Sequence, residues 1–170
     1  LMASPPIGAI RILTQEPDAL RPAVPADPRI EFVPSGRGIS TSILNAVEAH
    51  GLSWPILVTT ADHPLLTADM VQAFLEGAGG DVAIGMVERE TMRVAYPDNK
   101  RTWLRFRDGD WSGCNLFALT SDRAKAALHL WAEAEQDRKK AWKLFLHFGP
   151  VLAFRALTRT IGLASALQKA

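Results

Sequence analysis

The chain has 170 residues, 48% of them hydrophobic and 22% charged, with a formal net charge of +1 at pH 7. That length suits one well-buried α/β domain and is short for two, and the composition excludes disorder. The near-neutral balance leaves no footprint for nucleic acid or an acidic membrane, and no apolar run approaches the roughly 18 residues of a membrane span.

In chain order, Leu1 precedes Met2, so the sequence does not open as a natural translation start and reads as part of a longer protein. Leu1 to Ser4 reads as the tail of a helix closed by Pro5 and Pro6, because proline cannot continue a helix. Ile7 to Thr14 (IGAIRILT) is β-branched and apolar and predicts a buried strand. Four prolines between Glu16 and Arg29 dictate a loop with at most one helical turn, before a short strand at Ile30 to Val33. The turn Pro34-Ser35-Gly36-Arg37-Gly38 leads into an amphipathic helix. There Ile39, Ile43, Leu44 and Val47 form the buried face, Ser40 or Thr41 supplies the cap, and Gly51 ends the helix.

Trp54 to Thr60 (WPILVTT) is continuously apolar and then abruptly polar, as expected of a strand covered on both faces of a parallel sheet. Thr67 opens the next helix, with Met70, Val71, Phe74 and Leu75 inward, and Asp81 to Val87 is another strand. Strand, helix, strand, helix, strand predicts right-handed parallel crossovers. Thr102 to Arg107 alternates, Asp108-Gly109 is a turn dipeptide, and Trp111 to Leu119 is a strand again, together a β-hairpin. From Ser121 the chain is helical, with Ala124, Leu128 and Trp131 on one face. Further helices are expected at Arg138 to His147, Pro150 to Leu157 and Leu163 to Lys169. The fold expected is therefore α/β, a Rossmann-like, mostly parallel sheet flanked by helices. It carries a β-hairpin insertion and a helical C-terminal extension over residues 121–170, all within one domain spanning 1–170.

Asp62 is the most pointed candidate, an acid at the carboxyl end of the strand Pro55 to Thr60. Ligands of open parallel sheets bind at that end, and one carboxylate with water and phosphate oxygens is a common Mg²⁺ arrangement. Equally, Asp62 can start a tight turn with Pro64 and cap the helix from Thr67. Ser35 to Gly38 before a helix reads first as a turn and second as a phosphate cradle, since it matches neither common phosphate-loop spacing. Asn115, inside an apolar strand after Gly113 and Cys114, must be locally satisfied or face a ligand. The basic clusters Lys100-Arg101, Arg105, Arg107 and Arg138 to Lys140 read as solvated faces before phosphate sites. The single cysteine, Cys114, excludes an internal disulfide, fits a reducing cytoplasm and reads as a small buried hydrophobe. No triad, zinc spacing or glycosidase carboxylate pair is present in the sequence.

The run Val58 to Thr67 (VTTADHPLLT) resembles the central motif of the MobA-like NTP transferases, nucleotidyltransferases with a glycosyltransferase-A-like fold. Ser35 to Ala49 is similar to that family's base- and ribose-contacting segment, and Ser112 to Leu116 to its acceptor-side strand. The resemblance covers Ile7 to about Leu128. It implies that Asp62 is the catalytic aspartate and ligates Mg²⁺ and the nucleotide phosphates, and that Ser35, Gly36 and Ser40 meet the nucleoside. Asn115, Arg105 and Gly113 would meet the acceptor. The family's opening glycine-rich loop with Arg and Lys, and its closing acidic motif, have no counterpart here. The stretch given is therefore expected to be catalytically incomplete by itself.

The expected reaction joins an NMP from an NTP to a phosphorylated small-molecule acceptor, with pyrophosphate released. The expected setting is cytoplasmic, without nucleic acid or membrane partners, and the helices after Ser121 shape the acceptor site or a homodimer interface. A nucleotide-sugar glycosyltransferase is the alternative, disfavoured because Asp62 is followed by His63 and Pro64 rather than completing a D-x-D pair. A non-catalytic nucleotide-binding or assembly module is the third reading.

Overall fold

A computed structural model describes residues 1–136 and 162. The expected helices at Arg138 to His147, Pro150 to Leu157 and Leu163 to Lys169 lie outside the described residues. The elements in order are β1 (Ile10–Thr14), α1 (Pro17–Leu20), β2 (Ile30–Pro34), α2 (Ile39–Ala49), β3 (Ile56–Thr59) and α3 (Ala68–Gly77). They continue with β4 (Val82–Glu88), α4 (Arg89–Ala95), β5 (Leu104–Phe106), β6 (Gly109–Leu119) and α5 (Ala124–Gln136). At the start, Ser4 N–H bonds Leu1 O at 2.9 Å in a turn, so the first four residues form no helical tail.

β1 and β2 pair in parallel, with Ile10 opposite Ile30 and Thr14 opposite Pro34. Arg11 and Glu31 face each other in that register and form a 2.9 Å ion pair, the cross-strand contact that favours it. The other strands form a second sheet in the order β3-β6-β4, with β5 hydrogen-bonded to β6. β3 and β4 are both antiparallel to β6 and so parallel to each other, with α3 as their crossover. The expected hairpin is present as β5–β6, and its second strand runs on for eleven residues into the middle of the sheet. Local periodicity identifies such strands without ordering them, because order is decided by pairing between distant segments.

One core joins these elements. Ile43 and Leu44 of α2, Ile56 of β3, Leu119 of β6, and Ala124 and Leu128 of α5 are buried together, with Leu13, Val47, Val58 and Trp131 packed against them. Leu13 comes from the parallel pair and Val58 from the antiparallel sheet, so both sheets share this interior. Trp131 stacks at a tilt on Phe117, with centroids 5.2 Å apart, an arrangement that adds about 1 kcal/mol to burial. The helical stripes fall as their spacing requires, except at the first turns. Ile39 and Met70 are exposed, because each sits at the end of its helix that extends past the core.

The loop before β2 is fixed by one ion pair. Arg29 grips both carboxylate oxygens of Asp27, Nε to Oδ1 at 3.0 Å and Nη2 to Oδ2 at 2.8 Å, and also donates to Ile7 O and Met2 O. The guanidinium hydrogen bonds, helped by the Arg29 amide, hold the Asp27 carboxyl at about 2 instead of its ordinary 3.8. A carboxyl depressed in the folded state stabilises above its unfolded value and loses that contribution as pH falls through the folded one. Asp27→Asn is therefore expected to melt below the parent at pH 7, with the gap closing between about pH 4 and pH 2. Thermal melts across that range check it.

Candidate functional site

The polar end of β3 begins where its apolar run stops. Thr60 and Ala61 carry the chain off the sheet, and Leu66 N–H bonds His63 O at 3.2 Å in a turn. Thr67 Oγ1 then accepts from Met70 N–H at 3.2 Å and caps α3, as the sequence predicts. Asp62 lies in this loop, exposed, and does not cap the helix. Its Oδ1 accepts the Thr60 hydroxyl, while Oδ2 has no hydrogen-bond partner among the described residues. Two further polar atoms there, Thr59 Oγ1 and His63 Nδ1, are buried without a partner among the described residues.

β6 faces this loop with a bulge. The last paired residues of the two strands are Thr59 and Leu116, so Thr60 and Asn115 come next, just beyond the pairing. On the other side, β4 moves from Ile84 opposite Phe117 to Met86 opposite Gly113, leaving Gly85 alone against Cys114 to Leu116. A Cβ on Gly85 would stand 3.2 Å from Leu116 Cβ, so glycine is what lets the bulged strand approach. Asn115 sits in the bulge at φ 51°, the left-handed region, with its side chain exposed. Bulges beside sites commonly re-aim a side chain in this way. Asn115→Gly should retain stability, whereas Asn115→Val should lose about 1–2 kcal/mol through backbone strain. Denaturant midpoints distinguish the two.

Arg101 holds the start of the bulge. Its Nε donates to Ser112 Oγ at 3.1 Å and its Nη2 to Gly113 O at 2.5 Å. It forms no ion pair among the described residues. Arg105 stands elsewhere, on β5 opposite Asp110, five residues before Asn115 and so roughly 17 Å along the strand. The structure thus brings Asp62, Gly113 and Asn115 to one end of the sheet and adds Arg101, with Arg105 out on the hairpin. In the sequence Arg101 stands out only as part of a basic cluster. Burial raises the Cys114 thiol above its ordinary range, with Arg101 opposing, so the cysteine is a neutral packing residue at pH 7.

The Ser35 to Ser40 turn is closed by side chains from the start of α2. Gly36 N–H donates to Ser42 Oγ at 2.9 Å, and Gly38 N–H to Thr41 Oγ1 at 3.0 Å. Gly38 is the N-cap, and Ser40 and Thr41 lie inside the helix rather than capping from outside it. A Cβ at Gly36 would come within 2.8 Å of Thr41 Oγ1, which explains the glycine. Two further helix-end donors and a hydroxyl go to α5. Glu135 accepts from Ile39 N–H at 3.2 Å, Ser40 N–H at 3.4 Å and the Ser40 hydroxyl at 2.5 Å. A carboxylate of the chain itself therefore occupies the place where the helix end would attract an anion. No hydrogen bond among the described residues links this turn to the Asp62 loop.

The donor set at β3 suits a particular kind of cation. Among the described residues no group of three or more His, Cys, Asp or Glu side chains forms a metal cage. One exposed carboxylate with a free oxygen fits a hard divalent ion that keeps its waters and arrives with phosphate oxygens.

The MobA-like NTP transferase domain matches residues 3–157, most of the chain. No curated protein matches. A hypothetical transferase from Thermus thermophilus superimposes with a TM-score of 0.68 and 26% identity, over 81% of this chain and 59% of that one. The chain thus spans about three-fifths of the Thermus protein's structure. The 4-diphosphocytidyl-2C-methyl-D-erythritol synthase from Anaerococcus prevotii superimposes at 0.54 with 12% identity, over 85% of this chain and 67% of that one, a likeness of fold.

Proposed function

The chain belongs to the MobA-like NTP transferase family, and on that basis we propose that it transfers an NMP from an NTP to a phosphorylated small-molecule acceptor. The observation that carries the reading is the free carboxylate oxygen of Asp62, set past the end of β3 beside the Asn115 bulge. An acceptor phosphate oxygen attacks the α-phosphorus, the bond from that phosphorus to the bridging oxygen breaks, and pyrophosphate leaves with the electron pair. Such a displacement asks for positioning and charge neutralisation rather than a protein nucleophile.

Asp62 would hold Mg²⁺ together with the nucleotide phosphates, and its bond from Thr60 fixes the carboxylate's orientation. The ion, when bound, supplies neutralisation of phosphate charge. Asn115, in the facing bulge, would present its amide to the same space. Ser35, Gly36 and Ser40 would meet the uncharged base and ribose, since their backbone N–H groups and the Ser40 hydroxyl are already engaged and Glu135 repels phosphate from that turn. Arg101, anchored beside Gly113, serves the acceptor better than Arg105. The lone Cys114 suits a cytoplasmic setting.

The test is acceptor-dependent pyrophosphate release by the protein as encoded, with each NTP in turn, Mg²⁺ and a panel of sugar phosphates and other phosphomonoesters. Release with at least one nucleotide is expected. Silence with every NTP, together with an unmoved melting temperature in NTP and Mg²⁺, would overturn the reading.

A further inference from the structure

Beside the Asp62 loop the surface opens into a groove of about 460 Å³. Its walls are apolar: Leu65 from the loop itself, Met92 and Ala95 from α4, then Tyr96 and Pro97. Leu65 is 58% exposed and Tyr96 47%, so the groove leaves large apolar side chains in water, where a ligand's apolar face would cover them.

The groove's polar groups have a definite sense. Asn99 Nδ2 donates to Tyr96 O at 2.6 Å, which fixes the amide with Oδ1 as its free acceptor. That Oδ1 is buried and has no partner among the described residues, a deficit that a bound donor would relieve. Asp98 adds a second acceptor to the lining. Arg101 also lines the groove, held to Ser112 and Gly113 and forming no ion pair among the described residues. A fixed guanidinium without an ion partner is prepared for an anion, because its ordering is already complete before binding.

From these groups we infer that the groove is a binding site for a compact acceptor with an apolar body, a hydroxyl or amine donor, and an anionic group. The donor meets Asn99 Oδ1 and Asp98, the apolar face lies on Tyr96 and Leu65, and the anion meets Arg101. The inference rests on the transferase reading for the word acceptor, while the binding chemistry stands on the groove alone. Leu65 lies three residues after Asp62, and Arg101 is tied to the strand that carries Asn115, so a molecule held here has its anionic end beside the Asp62 loop.

The probe is 4-hydroxyphenyl phosphate, followed by saturation-transfer NMR on the full chain without nucleotide. Saturation of its ring protons is expected, and neither hydroquinone nor inorganic phosphate should displace it at equal concentration. Arg101→Gln should weaken binding about tenfold by removing the charged contact. Leu65→Ser, at an exposed position that does not support the fold, should weaken it as well, and unsubstituted phenyl phosphate should bind less well than the hydroxylated probe. Equal saturation in the parent, Arg101→Gln and Leu65→Ser would overturn the site, as would no saturation in the parent. A protein that releases pyrophosphate yet ignores the probe overturns the groove alone. One that binds the probe in the groove while no NTP affects it overturns the transferase reading and leaves the groove.

Discussion

Asp62→Asn is expected to lower pyrophosphate release by about 10²–10³-fold while leaving the melting temperature unchanged. The asparagine keeps the shape of the side chain and an oxygen for the Thr60 hydroxyl, so the loop is preserved. What it removes is the charge that holds a cation against the triphosphate, and a loss of that size corresponds to about 3–4 kcal/mol of barrier. Asp62 is exposed and supports no buried group, which is why stability should not follow activity. A rate within about twofold of the parent at saturating NTP and Mg²⁺ would remove Asp62 from the reaction. Thr60→Val, which frees the carboxylate without discharging it, should fall between the two.

Glu135→Ala carries the largest expected loss of stability. Ser40 is fully buried, and its hydroxyl and backbone N–H, with the Ile39 N–H, all turn to that one carboxylate. Truncation leaves the hydroxyl and two helix-end donors without protein partners, at a cost of about 2–3 kcal/mol. Glu135→Gln retains an acceptor oxygen and loses the attraction between a carboxylate and the positive helix end, so about 1 kcal/mol is expected. Urea midpoints of the three proteins give the order parent, glutamine, alanine. An alanine variant as stable as the parent would mean that water replaces the carboxylate at no cost.

Much of the local structure is legible in the sequence, because local structure has local causes. The apolar run ending at Thr59 marks the strand end and therefore Asp62, and the 3.6-residue stripe of α5 predicts Ala124, Leu128 and Trp131 on the core face. Thr67 announces the α3 cap through residue type and position. Other features depend on distant partners. The capping of α2 by Glu135 joins residues 95 apart in sequence, and no pattern around either one signals it. Placing β6 between β3 and β4 depends on which edges meet, which apolar strands of similar pattern do not encode one by one. α4 carries no apolar stripe, since Val94 is almost fully exposed, and so periodicity passed over it.

Basic residues show the same division. In sequence Arg101, between Lys100 and Thr102, and Arg105, between Leu104 and Phe106, read alike as members of one basic cluster. Only the pairing of β5 with β6 separates them, carrying Arg105 out to Asp110 while Arg101 folds back on Ser112 and Gly113. The Asn115 bulge is written partly in Gly85, a glycine inside a strand, whose meaning emerges once β6 lies against it.

Metal and nucleotide are proposed to meet at the end of β3. Paramagnetic broadening of backbone amide signals by Mn²⁺ with NTP tests it without relying on turnover. Broadening is expected to centre on Thr60 to Leu65 and on Asn115 and to be abolished by Asp62→Ala. Broadening that persists in that variant, or that centres on the Ser35 to Ser40 turn instead, would contradict it.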